Sequence, residues 1–159
     1  MKRTILKLTL MTYTICALPS YGAIQMTLSQ GHLKPTQPFS KGMSVGLIHQ
    51  LSFGIVVAGA PMDIVIPALD SNAAVFVATG DPDTEVIAKI TKRAFRMRNG
   101  RSKIKVNSFT YGGDIHNKLA VFHHDGHLNN LRVGATAHLK AGNKTGDYSG
   151  QVKFRLTTV

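Results

Sequence analysis

Short runs of alternating apolar residues, cut at close intervals by glycine, proline and asparagine, set the strongest constraint on this chain's fold. Ile24, Met26 and Leu28 alternate, as do Val45 and Leu47, then Leu51, Phe53 and Ile55, then Ile64 and Ile66 ahead of Pro67. Val75 and Val77 run into the turn sequence Thr79-Gly80-Asp81-Pro82. Ala137 and Leu139 form another pair, and Tyr148, Val152, Phe154 and Leu156 form a last row in which Gly150 takes one place. A period of two puts every second side chain on one face of a strand. A helix needs a period of 3.6, and no long stretch has one. Many short strands with frequent turn signals lead to a single all-β domain, a sandwich or a barrel.

Two turn signals stand out. Asn99-Gly100 is a favoured pair for a two-residue hairpin loop. With that loop Arg98 faces Arg101 and Arg96 faces Lys103, so Arg96, Arg98, Arg101 and Lys103 share one face. Phe95, Met97, Ser102 and Ile104 share the other. Asp125-Gly126 is the second signal, between Val121-Phe122 and Leu128. Residues 31–42, with Gly31, Pro35, Pro38 and Gly42, read as a long linker after the first strand.

The start of the chain has the order of an export signal. Lys2, Arg3 and Lys7 precede an apolar run from Leu8 to Leu18, and Ser20 and Gly22 supply small residues for cleavage after Gly22. The run is shorter than the roughly 20 residues a membrane span needs, and no later segment is apolar enough to be one. The expected organisation is a cleaved signal (1–22), an N-terminal strand and linker (23–43) and a β-sandwich domain (44–159). The mature protein would act in the periplasm, at the cell surface or outside the cell. Its only cysteine, Cys16, lies in the signal, so it folds without a disulfide where disulfides form readily. Nineteen Lys and Arg, three of them in the signal, against eight acids leave the mature chain at +8.

Eight of the sixteen basic residues of the mature chain lie between Val86 and Gly113, a segment with no acid. Arg96, Arg98, Arg101 and Lys103 are candidate ligands for a polyanion such as lipopolysaccharide, extracellular DNA or an acidic glycan. The competing explanation is a charged edge hairpin that resists edge-to-edge aggregation. No aromatic residues interleave with the cations to stack bases. His123 and His127 flank the Asp125-Gly126 turn and are the candidate metal ligands, with Asp125 as an oxygen donor. Adjacent His123 and His124 point to opposite faces of a strand, however, and the spacing matches no structural zinc pattern. No metal or other cofactor is expected. Gly42-Met43-Ser44-Val45-Gly46 fits the G-x-S-x-G nucleophile elbow, but that elbow requires a helix after the serine and here a strand pattern follows. No enzyme activity is expected.

Four segments in order resemble a family of secreted bacterial domains, domain of unknown function 4402. They are Leu51-Ser52-Phe53-Gly54 followed by Ala58-Gly59, Phe76 to Pro82, Val133-Gly134-Ala135, and Gly146 to Val152. That family is similar to spore coat protein U and archaic chaperone–usher pilin domains. The resemblance implies an immunoglobulin-like antiparallel β-sandwich, of the pilin type in which an N-terminal donor strand fills a groove on a neighbour. Such domains often carry a disulfide, which this chain lacks. Ile24, Met26 and Leu28 are the donor-strand candidates. Their alternation fits equally a first strand within their own sandwich, and both remain open on sequence. The expected function is a structural or adhesive fimbrial-type subunit. Its partners would be other copies or pilus-like subunits, helped by a periplasmic chaperone. The alternative is a self-contained module whose cationic hairpin binds polyanions.

Overall fold

A computed structural model describes residues 23–30, 42–57 and 59–159. The expected export signal at 1–22, and the linker apart from Gly42 and Met43, lie outside the described residues. Among those described are twelve strands and no helix. They are β1 (Ala23–Gln30), β2 (Ser44–His49), β3 (Leu51–Val57), β4 (Met62–Ile66), β5 (Ala74–Thr79), β6 (Glu85–Ile90), β7 (Phe95–Asn99), β8 (Ser102–Gly113), β9 (Leu119–Val121), β10 (His127–Leu139), β11 (Gly146–Val152) and β12 (Phe154–Thr158).

Nine strands form one sheet in the order β2-β5-β10-β8-β7-β11-β1-β3. β4 follows β5 along the same edge of β10, against Ala135–Leu139. The other sheet is β12-β6-β9. β2 and β3 sit at opposite ends of the large sheet, yet only Gln50 separates them in the chain. The sheet must therefore bend back on itself, which makes it two-layered. β11 and β12, separated by Lys153, cross in the same way from the large sheet to the small one. The all-β sandwich expected from sequence is the fold, and its pairings are antiparallel except for β1 with β11, which is parallel.

Alternation builds the interior. On β6, Val86, Ala88 and Ile90 are buried while Glu85, Ile87 and Lys89 face outward. Tyr148, Val152, Phe154 and Leu156 form one buried row through β11 and β12. Phe154 reaches across to β5 and stacks on Phe76 with ring centroids 4.4 Å apart, tying the sheets together. A stacked aromatic pair adds about 0.5–1.5 kcal/mol beyond the area it buries. Tyr148 is also buried, and its hydroxyl donates to Ser102 Oγ and lies 2.9 Å from the Lys144 carbonyl. This bond and those of Asn143, whose Nδ2 donates to Ser102 Oγ and the Lys103 carbonyl, hold the loop after β10 against the start of β8.

Two local readings are corrected. The loop between β7 and β8 is Gly100-Arg101, not Asn99-Gly100. Asn99 pairs with Ser102, Arg98 with Lys103, Met97 with Ile104 and Arg96 with Lys105. Gly100 takes the positive φ (56°), and glycine at the first central position is the pattern of a type II′ turn. Asn99 stays in the strand, where its Nδ2 donates to the Thr145 carbonyl at 3.1 Å. The shift moves the pairing by two residues on one side, so the sorting of charged from apolar faces survives. The second signal, Asp125-Gly126, is a turn but does not close a hairpin. β9 before it belongs to the small sheet and β10 after it to the large one.

Candidate functional site

Two regions merit a functional reading, and the first is the position of β1. Ile24 to Gln30 run parallel to Gly146–Val152 of β11, while Ala23 to Leu28 run antiparallel to β3 from Val57 to Leu51, with a shift between Met26 and Thr27. Ile24, Met26 and Leu28 thus stand beside Gly146, Tyr148 and Gly150 on one side, and beside Val56, Gly54 and Leu51 on the other. Among the described strands β3 has no ladder partner except β1. On its other side β11 meets β7 in register at Ser149 and Arg98. β1 therefore occupies a slot between two strands that do not pair with each other.

The second region is the outward face of β7 and β8. Arg96, Arg98 and Lys103 are exposed there as the sequence alternation requires. Arg101 is not part of that grid but stands in the turn, and Lys105 takes the place opposite Arg96. Like charges directly opposite each other destabilise a sheet. The edge-hairpin explanation fails, because β7 and β8 are inner strands flanked by β11 and β10. Lys92, Arg96, Arg98 and Lys105, with Gln151 from β11, line an open cleft of about 410 Å3. Lys105 continues the charged alternation of the hairpin. Gln151 carries no local sign, since its strand reaches the site through sheet order. Arg132, by contrast, is committed to structure. Its Nε and Nη2 donate to the carbonyls of Ala68 and Asp70 and brace the turn before β5.

The histidines are dispersed. His123 and His127 are exposed and meet through their backbones, with the His123 amide donating to the His127 carbonyl. Asp125 accepts from the His127 amide, and His124 pairs with Asp83 at 2.8 Å. No group of three or more His, Cys, Asp or Glu among the described residues is placed to hold a metal ion. Ser44 opens β2, and its hydroxyl bonds Thr79 Oγ1 at 2.7 Å. No helix follows it, so the elbow geometry is missing.

The family model for the Domain of unknown function (DUF4402) matches residues 52–157, from the second residue of β3 into β12. The chain belongs to the DUF4402 family. No curated protein and no solved structure matches it. The DUF4402 match takes in the cationic face and both members of the Phe76–Phe154 stack, whereas β1 and β2 lie outside it. β3 from Ser52 onward and all of β11, the strands on either side of β1, thus lie within the matched part, and β1 lies outside it.

Proposed function

We propose that this DUF4402 protein is an exported surface-assembly subunit with a structural rather than catalytic role, and that β1 is the strand its copies exchange. The observation that carries this reading is the slot itself. Among the described strands β3 and β11 are joined only through β1, and residues 31–43 separate β1 from the rest of the domain in sequence. A β1 from a second copy has the same sequence and meets the same rungs, so exchange preserves every pairing while linking chains. Strand addition of this kind draws its affinity from main-chain hydrogen bonds. The export-like pattern of residues 1–22 supports assembly outside the cytosol, where a periplasmic chaperone would hold the slot until a donor arrives. The resemblance to archaic pilin domains points the same way.

The test uses the register. Gln25 stands opposite Ile55, and antiparallel partners lie about 4.5–5.5 Å apart at Cα, within disulfide reach. The exported Gln25→Cys, Ile55→Cys double variant is oxidised at increasing concentration and run on a non-reducing gel. A ladder of linked chains is the expected result. A bond that forms within single chains at every concentration refutes strand exchange.

A further inference from the structure

We propose that the outward face of β7, β8 and β11 is a binding site for a linear acidic polysaccharide. The proposal does not depend on strand exchange, because the face lies outside β1. Its cations have no edge to guard, since β10 and β11 cover both sides of the hairpin. Among the described residues they have no ion-pair partner either. The ion pairs among the described residues are His124 with Asp83 and His138 with Asp63, and no described Lys or Arg forms one with a carboxylate. Arg96 and Lys105 stand side by side, as do Arg98 and Lys103 on the next row. Rows two residues apart along a strand are about 6.6 Å apart, and neighbouring strands about 4.8 Å. The result is an open grid of positive charge, with Asp147 the one acid on the outward side of β11, and it suits a chain of regularly spaced anions.

The neutral neighbours narrow the ligand. Ser149 pairs with Arg98, and Gln151 lines the cleft with Arg96. A hydroxyl and an amide beside the guanidiniums can donate to and accept from sugar hydroxyls, while arginine grips a carboxylate or sulfate through two parallel bonds. Nucleic acid fits less well. Phe95, the aromatic residue at the cleft, is buried, so bases have no exposed ring to stack on. A two-stranded ribbon can enter a DNA major groove, but this one is enclosed by strands on both sides. Carboxylated and sulfated glycans share the required chemistry, and the experiment separates them.

Binding of the full-length protein to a polygalacturonate oligosaccharide and to a heparin oligosaccharide is measured at roughly 50 and 200 mM salt, a range over which polyanion contacts weaken steeply. At least one should bind, and the Arg96→Glu, Arg98→Glu variant should lose roughly tenfold or more in affinity, because two charge-assisted contacts are removed. A control with the same change in net charge elsewhere, Lys118→Glu with Arg155→Glu, should stay within about twofold, since its sites lie off the face. Gln151→Leu should weaken the glycan and leave inorganic polyphosphate binding unchanged. Amide shifts of the unmodified protein during titration should centre on Arg96, Arg98, Lys105 and Gln151, a readout that needs no variant to fold. The proposal is overturned if neither oligosaccharide binds at the lower salt, or if the control loses as much as the Arg96, Arg98 variant. It is overturned equally if duplex DNA binds as tightly as the glycan and without regard to Gln151.

Discussion

Deleting residues 23–30 is expected to cost the protein most of its stability, and free peptide of the same sequence is expected to restore it. β3 loses its only ladder partner among the described strands, and β11 keeps only its contact with β7. Both edges become open, and open edges recruit other chains. Buried Leu51 and Phe53 on β3, and Tyr148 and Val152 on β11, then sit on strands that can fray. A domain of this kind has about 5–15 kcal/mol of stability in total, so losing both ladders should leave a partly unfolded or aggregating chain. Peptide present at about 100 times its Kd should return about 2.7 kcal/mol through linkage alone. Urea denaturation of the deletion variant, with and without peptide, measures both effects. A variant as stable as the parent, or one the peptide does not help, removes the slot from the account.

The second large effect is expected at Gly134. This residue is buried in β10, where β4 and β8 approach it from both sides. A Cβ there would lie 2.1 Å from the Ile66 carbonyl oxygen and 2.6 Å from both the Pro67 carbonyl carbon and Thr110 Oγ1. Two of those atoms are backbone, so relief requires β4 to move away from β10 rather than a side chain to rotate. Gly134→Val should therefore lower stability by about 3 kcal/mol or more, at the upper end for overpacking in a core. Gly46→Ala is the comparison. Its Cβ would meet only the Val77 side chain, at 3.3 Å, and it should cost within about 1 kcal/mol. The check is the urea midpoint of each variant at an unchanged slope. Equal midpoints for the two would mean that β4 and β10 are not held at the distance described.

The sequence was most legible where neighbours in space are neighbours in the chain. Phe95 to Ile104 sorts its charged and apolar side chains by simple alternation, so the exposed Arg96, Arg98 and Lys103 could be read directly even though the turn is one residue later than Asn99-Gly100 suggests. The far halves of β8 and β10 were hidden by changes of phase. On β8 the buried positions run through Ile104 and Val106, and the next inward residues are Phe109 and Tyr111, because Ser108 at φ 50° resets the alternation. On β10 the ladder to β5 shifts between Leu128 and Leu131, and the ladder to β8 shifts between Gly134 and Thr136. A period-two reading breaks at each such point. Sheet order was not legible at all. Nothing near Ile24 indicates that it will meet Gly146, and nothing in the basic segment indicates that it will lie inside a sheet rather than at its edge.

The strands that change sheets bear on how this protein can open. One continuous run of chain, β2 into β3, belongs to both ends of the folded-over sheet, and another, β11 into β12, belongs to both sheets. Neither layer can separate without pulling a segment out of the other, so there is no seam along which half the molecule melts first. Amide exchange should accordingly find the slowest protons of β6 and β12 and those of β8 and β10 released together, in one global event rather than as two independent foldons.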